Sequence, residues 1–530
     1  MHRAPGSVTE DLIGAASAMA ASWSARARAA TTVGQERAVL RLLGVAGVDR
    51  EGRPLAAEVL DRYLAPDPRR LGGGIALPMA VAMAEYDLPI GAVALDVAAG
   101  HLDLGLEADL LADPARRTRA AASVARMASA ALARADANRT ARRELADLLG
   151  GPRRPALGVT LRAPAIVDAL EEAIGSVASG AGAVHVRVPP GRELADLSSR
   201  AGLSVEPWRA APASRGGLAH ADPARPPVPT GSQRALAVLR AALDDAGARN
   251  GRYVRLVTES PALVAPDQAV VAAFERVDLV VTDPLREIVT GLADPERAIA
   301  DHAFAHRVLA RGGVRVVIPA GTLMVATDIE AGVPSDPATR SGRALALQLL
   351  AVRQAIADGL APDAVAVGAL PAWLGDEPEP TARAVAEIAV RREVFPGHAL
   401  VFLEPPQPAT AVDWQALVAG LLPDADEVEL LLCSSSARFA ARADAMNAAL
   451  DVARAISEAR SRPSLTGRAA EHRVGMLAAA AATLAGIEDR GWRSVADRPF
   501  GPGEAGPAAA LVAERVGGMD ALIPLGPHRA

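Results

Sequence analysis

The sequence predicts a (β/α)8 barrel, or TIM barrel, behind a helical N-terminal region and ahead of a helical C-terminal tail. From about residue 151, short apolar runs alternate with stretches of helical periodicity. There are eight such runs, and each is continuously apolar, which is typical of parallel strands covered on both faces. We therefore divide the chain into a helical region at 1–150, a barrel at 151–460 and a tail at 461–530, which has one helix and a Gly- and Pro-rich end.

The eight predicted strands are separated by helical stretches such as Ala165–Val177 and Arg343–Ala357. No G-x-G-x-x-G follows any strand, so a closed barrel is favoured over its alternative, an open doubly wound sheet with additional strands. The predicted strands are Ala156–Leu161, Ala183–Val188, Tyr253–Thr258, Val277–Thr282, Val314–Pro319, Ala364–Gly368, Ala399–Leu403 and Val428–Leu432.

The first 150 residues have apolar positions at helical spacing, notably in Glu36–Leu43 and Thr118–Leu149. Thr31-Thr32 ahead of Gln35-Glu36 resembles an N-terminal capping box. Leu71–Gly74 predicts a break before another apolar helix.

Composition excludes several functions. The formal net charge is -6 and aromatic residues make up 3% of the chain, so we expect no nucleic-acid partner. We see no signal peptide and no uninterrupted apolar run of about 18 residues, so we expect no membrane span. Cys433 is the single cysteine, which rules out a disulfide within the chain and favours a reducing compartment, the cytoplasm.

Lysine is absent from the entire sequence, and all its basic side chains other than histidine are arginines. The chain therefore cannot form a Schiff base through a lysine of its own, and it has no P-loop lysine. Any imine chemistry would need a lysine from a partner.

Candidate site residues follow the predicted strands, because the active site of this fold lies at the carboxyl ends of its strands. Arginine and serine there suit an anionic ligand such as a phosphate. The alternative for each is an ordinary solvated loop residue. The candidates are Arg162, Arg187, Arg192, Glu259, Ser260, Asp283, Arg286, Thr322, Glu404 and Ser434–Ser436.

Other constellations are weaker. Ser434–Ser436 could cradle a phosphate or simply cap a helix. His302 and His306 lie one helical turn apart and could share a metal, but no H-E-x-x-H is present, so we favour a surface helix and predict no metal site. For Cys433 we favour a buried structural thiol over a nucleophile.

Six segments carry a family resemblance. They are TTVGQERAVLRLLGVAGVD (31–49), LGGGIALPMAVAM (71–83), HLDLGL (101–106), NGRYVRLV (250–257), AAFERVDLVVTDPL (272–285) and RREVFPGHAL (391–400). In order and spacing, these segments resemble the alpha subunit of lysine 5,6-aminomutase, and the resemblance covers about residues 30 to 460.

This resemblance implies a (β/α)8 barrel and an isomerase of lysine degradation. The family's enzymes use pyridoxal phosphate and adenosylcobalamin to move a terminal amino group to the adjacent carbon. A beta subunit supplies the cobalamin domain and the lysine that holds pyridoxal phosphate. A lysine-free chain without a D-x-H-x-x-G cobalamin motif is compatible with the alpha role in such a hetero-oligomer.

The resemblance also implies site residues, with departures. Arg187 keeps the cofactor-binding arginine after the second predicted strand. Arg192 occupies the position of a serine in the family. Pro261 occupies the position of a second family serine, and Ser260 is adjacent to it. Arg286 occupies the position of a tyrosine that stacks on the cofactor ring. A phosphate-binding arginine aligns near Gly291, and an aspartate near Gly321. We expect Arg187, Arg192, Ser260 and Arg286 to bind the cofactor, and Glu259 and Asp283 to bind the substrate's ammonium group.

Three interpretations follow, and no catalytic residue is assigned in any of them. The chain is an aminomutase alpha subunit for lysine or a related amino acid, a barrel enzyme with changed chemistry, or a non-catalytic subunit that binds a partner. Fold alone does not decide between them.

Overall fold

The computed structural model describes most of the chain. The described residues are 5–49, 51–150, 156–161, 166–187, 232–260, 264–291, 293–320, 336–369, 380–403, 428–433, 465, 467–495 and 512–515.

The N-terminal region is helical, as its periodicity predicts. Thr32 caps the second helix, because its hydroxyl accepts the backbone N–H of Gln35 at 3.0 Å. The glycine-rich break at 71–74 falls in a 3-10 turn, Pro68–Gly73, directly before the fourth helix. The helices are α1 (Pro5–Ala27), α2 (Val33–Leu42), α3 (Leu55–Leu64), α4 (Ala76–Tyr86), α5 (Ile90–Ala99), α6 (Leu104–Asp109) and α7 (Pro114–Leu148).

Eight parallel strands form a closed barrel in chain order, so the TIM-barrel prediction is confirmed. The first barrel strand pairs with both the second and the last, which closes the sheet. The strands are β2 (Ala156–Leu161), β3 (Ala183–Val186), β4 (Arg255–Glu259), β5 (Leu279–Val281), β6 (Arg315–Ile318), β7 (Val365–Gly368), β8 (Leu400–Leu403) and β9 (Val428–Cys433). All eight overlap the predicted runs.

Helices cover the outer face of the barrel, and their apolar sides share one core with the outward-facing strand residues. They are α8 (Ile166–Ala178), α9 (Ser232–Arg249), α10 (Ala265–Phe274), α11 (Arg286–Val289), α12 (Pro295–Gly312), α13 (Pro337–Ala357), α14 (Pro380–Val394) and, from the tail, α15 (Gly467–Arg490).

The amino-terminal end of the barrel is closed by a buried ionic cluster. The Glu429 carboxylate is fully buried and contacts Arg255, whose Nη1 lies 3.0 Å from its Oε1, and Arg315. Arg255 and Arg315 begin β4 and β6. Above this cluster the interior is packed with small and branched apolar side chains. In the described part of the barrel interior, a ligand site is therefore expected toward the carboxyl end of the strands.

A buried ion pair attaches the N-terminal region to the barrel. Arg37 of α2 donates from Nε to Oδ2 of Asp267 in α10 at 2.7 Å, and both side chains are almost completely buried. Arg41 approaches the same carboxylate at 3.5 Å. Helix α2 therefore lies directly against the outer helical layer, and the division of the chain near residue 150 remains a prediction.

A short antiparallel pair joins the two ends of the chain, and the sequence did not predict it. Strand β1 (Ala30–Thr32) pairs with β10 (Val512–Glu514). Glu36, fully buried, lies beside this pair and accepts hydrogen bonds from the Thr31 hydroxyl at 2.7 Å and from the Ile75 backbone at 2.9 Å. Arg515 approaches the same carboxylate at 3.4 Å.

The surface-helix interpretation of His302 and His306 is wrong. Both side chains lie on the buried face of α12. His306 Nδ1 lies 2.8 Å from Oδ2 of Asp358, and His302 Nε2 lies 3.4 Å from Oε2 of Glu287. The physical reason is that carboxylates buried nearby make interior positions tolerable for these rings.

In the part of the chain described here, every helix is too short or too polar to span a bilayer.

Candidate functional site: the carboxyl-end mouth of the barrel

Strand alternation turns the end residues of β3 and β4 toward the barrel interior. Ala183 and Val257 belong to the interior apolar cluster. Since alternate residues of a strand face the same side, Arg187 and Glu259 also face inward, at the open end.

Arg187 and Glu259 form an ion pair at this mouth, with Nε and Oε2 3.4 Å apart. The strand register explains it, because Val186 pairs with Thr258 and the next two residues come side by side. The Arg187 side chain remains 51% exposed, so a ligand can reach it. Burial raises the pKa of Glu259, and the nearby cations of Arg187 and Arg286 oppose that rise.

Asp283 and Arg286 extend the set past the end of β5. The backbone N–H of Leu285 donates to Oδ1 of Asp283 at 3.3 Å. Burial raises the pKa of Asp283, and the positive charge of Arg286, at the start of α11, opposes it. Arg286 acts on both Glu259 and Asp283, so its positive charge lies near both carboxylates at this side of the opening.

Two buried polar atoms of this side have no hydrogen-bond partner. They are the Ser260 hydroxyl oxygen and Arg286 Nε. Ser260 is held in place by its backbone N–H, which donates to the Val281 carbonyl at 2.8 Å. A hydroxyl and a guanidinium N–H at this opening suit an anionic group such as a phosphate. We call Arg187, Glu259, Ser260, Asp283 and Arg286 the mouth cluster.

The structure thus places five of the six predicted cofactor- and substrate-binding residues at or after the ends of three successive strands. The sixth, Arg192, lies outside the described residues. The same holds for the wider candidates Arg162, Thr322, Glu404 and Ser434–Ser436 and for Pro261 and Gly321. Cys433 ends β9, and the structure describes no more of it. Among the described residues, no group of three His, Cys, Asp or Glu side chains is placed to hold a metal ion.

Sequence reasoning missed His185. It lies two residues before Arg187 on β3 and therefore faces the interior one layer deeper. Its Nδ1 is 3.2 Å from the Thr160 hydroxyl of β2, and its side chain is buried. The signal was a histidine at even spacing from Arg187 within an apolar strand, in HVR at 185–187.

These features define a class of protein: a parallel (β/α)8 barrel with ion pairs at one end and a cluster of charged candidate site residues at the other. The family model described as the D-Lysine 5,6-aminomutase TIM-barrel domain of alpha subunit matches residues 8–206 and 229–419. The chain belongs to this family.

Two curated relatives are lysine 5,6-aminomutase alpha subunits. The protein from Fusobacterium nucleatum is 26% identical over 384 residues, which cover 71% of this chain and 66% of the relative. The protein from Acetoanaerobium sticklandii is 28% identical over 285 residues, which cover 54% and 50%. The chain therefore matches less than two thirds of either relative's length.

Among solved structures, dihydropteroate synthase from Burkholderia cenocepacia in complex with 7,8-dihydropteroate superposes with a TM-score of 0.34 and 16% identity, covering 58% of this chain and 94% of that one. The DHPS of Yersinia pestis gives a TM-score of 0.32 and 13% identity, covering 56% and 95%. At these TM-scores the similarity carries no functional argument.

Proposed function

We propose that this chain is the alpha-type component of an aminomutase that uses pyridoxal phosphate and adenosylcobalamin. Its reaction would move a terminal amino group of lysine or a related amino acid to the adjacent carbon, an isomerisation. Family membership supports the proposal, and so does the absence of lysine, which requires an imine-forming lysine from a partner.

One observation at the site carries the proposal: two buried donors without partners, on Ser260 and Arg286, lie at the barrel mouth with Arg187. The residues present fit the phosphate of pyridoxal phosphate, which needs several fixed donors. Arg187, Ser260 and Arg286 would bind it, with Arg192 as a further anion contact. Bound there, pyridoxal phosphate would supply the electron sink for chemistry at the amino group.

The two carboxylates of the mouth cluster suit the amino-acid substrate. Glu259 and Asp283 would bind the ammonium group of the substrate, since a carboxylate accepts charge-assisted hydrogen bonds from it. Arg187 now pairs with Glu259 at 3.4 Å, so we expect phosphate binding to free the Glu259 carboxylate for substrate.

A beta subunit would complete the site. We propose that it carries the cobalamin domain and the lysine, in a cytoplasmic hetero-oligomer without nucleic acid or membrane. The test is co-expression with a candidate beta subunit from the same genome, followed by purification and an absorbance spectrum. A stable complex with an imine band is expected. No complex and no imine absorbance would contradict the proposal.

A specific observation favours a second candidate, a non-catalytic subunit that binds a partner. Gly291, near which the family's phosphate-binding arginine aligns, has a φ of 68°. That left-handed backbone suits glycine and disfavours a side chain, so the departure is built into the turn after α11. The two candidates differ in one assay. Cofactor-dependent amino-group migration by the purified complex would contradict the non-catalytic role.

A further inference from the structure

His185 lies beneath the mouth cluster, at the depth that the inner end of a ligand would reach. Its side chain is 6% exposed and faces the barrel interior, between the apolar cluster around Ala183 and the rim residue Arg187. Along a strand, two residues span roughly 7 Å, so the imidazole is about one layer below the guanidinium.

One nitrogen of the His185 ring has a hydrogen-bond partner among the described residues, and the other has none. Nδ1 lies 3.2 Å from the hydroxyl oxygen of Thr160 on the neighbouring strand. Nε2, on the far side of the ring, is buried and has no hydrogen-bond partner in the described structure. Buried polar atoms normally have partners, and one left without costs stability unless something else requires it.

The ring is also uncharged. Burial, together with the positive charge of Arg187, lowers the pKa of His185 to about 3. A neutral imidazole cannot serve as a counter-charge, so it differs in kind from the arginines and carboxylates above it. Its unpartnered Nε2 suits a neutral hydrogen-bonding group.

We infer that His185 is a specificity-determining residue of this site, whose Nε2 binds an uncharged hydrogen-bonding group at the inner end of the ligand. The ligand class is then a molecule with an anionic group at one end, bound by the mouth cluster, and a hydroxyl, carbonyl or heteroaromatic nitrogen at the other. The inference rests on the proposed function, because it places the anionic end at Arg187.

Two probes distinguish ligand binding at His185 from ligand binding at the mouth cluster. Inorganic phosphate offers only the anionic end, whereas pyridoxal 5′-phosphate offers both ends. The complex of the chain with its beta subunit is titrated with each probe by calorimetry, with the chain as wild type, His185→Leu and His185→Gln. In His185→Leu we expect pyridoxal 5′-phosphate to bind about three- to tenfold more weakly, while phosphate stays within about twofold. His185→Gln keeps a polar atom near the Nε2 position and restores part of the loss.

The outcomes distinguish this inference from the proposed function. If wild type binds both probes and His185→Leu weakens neither, or weakens both equally, the inner contact is refuted and the phosphate site stands. If wild type binds neither probe, the proposed site fails and the inference fails with it.

Thermal unfolding shows whether the variant acts through stability. His185→Leu loses the contact with the Thr160 hydroxyl but also removes an unpartnered buried nitrogen, so we expect its Tm to stay close to that of wild type. His398 is the matched control: it is similarly buried and its Nδ1 also has a partner, the Val365 carbonyl, at 2.8 Å, but within the described structure it has no buried nitrogen without a partner. His398→Leu is expected to lower Tm and to leave both affinities unchanged. A merely structural His185 would instead behave like His398.

Discussion

At the scale of single residues, His185 makes stability depend on pH. An unfolded histidine takes up a proton near pH 6.5, whereas His185 in the fold stays neutral down to about 3. Below pH 6.5 the unfolded chain therefore binds more protons, and stability falls as pH falls. Between pH 7 and pH 5 this one group should remove about 2 kcal/mol from the free energy of unfolding.

Urea unfolding at the two pH values measures this effect. His185→Leu should lose about 2 kcal/mol less than wild type between pH 7 and pH 5. The control is His101→Leu, since His101 is a 75% exposed histidine far from the barrel interior; it should keep the wild-type loss. Equal losses in wild type and His185→Leu would show that the ring is not held neutral.

Arg187 is the residue on which anion binding depends most. Arg187→Ala should weaken pyridoxal 5′-phosphate binding at least tenfold, because a hydrogen bond to a charged group contributes roughly 1.5–3 kcal/mol. Calorimetry on the complex with the beta subunit measures it. Arg249→Ala removes an arginine whose contact is with Asp245 on the same helix, and should leave the affinity unchanged. Unaltered binding by Arg187→Ala would remove that residue from the site.

Some of this residue-level picture is predictable from sequence and some is not. Arg187, Glu259 and Asp283 follow from one rule, that residues after barrel strands meet at one rim. Whether Nε2 of His185 has a hydrogen-bond partner depends on which atoms of other strands approach it, and the sequence does not reveal them. The burial of His302 likewise depends on Glu287, a partner that helical spacing does not reveal.

At the scale of elements, the contact between α2 and α10 depends on the Arg37–Asp267 pair. Asp267→Ala removes the buried carboxylate that Arg37 and Arg41 both approach, so unfolding free energy should fall by roughly 3–5 kcal/mol. Asp245→Ala breaks an exposed pair with Arg249, 2.5 Å apart, and should cost less than about 1 kcal/mol. Chemical denaturation compares them; equal costs would mean that the buried pair does not hold α2 in place.

The crossing of α13 and α15 requires a glycine. A Cβ on Gly342 would lie 2.5 Å from the Ala479 Cβ and 2.5 Å from the Met476 carbonyl oxygen. Gly342→Ala should therefore lower the unfolding free energy by roughly 1–3 kcal/mol. Gly14 in α1 has open space around its Cβ position, so Gly14→Ala should raise it by about 0.5–1 kcal/mol. Opposite signs in thermal or urea unfolding are the expected result, and a gain from Gly342→Ala would contradict this packing.

Elements were more predictable than their long-range contacts. Buried parallel strands are continuously apolar, and β2 was predicted with the bounds that the structure gives, Ala156–Leu161. The three-residue strands β1 and β10 have no detectable periodicity, and they pair across nearly the whole chain. Local pattern carries no information about such a pairing.

At the scale of the whole molecule, the two barrel ends differ in chemistry. At one end, the buried Glu429 carboxylate is paired with two arginines, Arg255 and Arg315, although its Oε2 has no hydrogen-bond partner in the described part of the chain. The mouth cluster at the other end keeps donors without partners and an exposed Arg187 side chain. A buried carboxylate that two arginines neutralise is stabilised by the protein itself, whereas an exposed cation with unpartnered donors at an opening indicates a ligand. This asymmetry is the structural basis for placing the cofactor at the mouth.

The central claim is that the mouth cluster binds the phosphate of pyridoxal 5′-phosphate. A crystal structure of the chain with its beta subunit and pyridoxal 5′-phosphate tests it most directly. We predict the phosphate within hydrogen-bond distance of Arg187, Ser260 and Arg286, with the Arg187–Glu259 pair opened. A phosphate bound elsewhere, with that pair intact and the two donors still unpartnered, would contradict the claim.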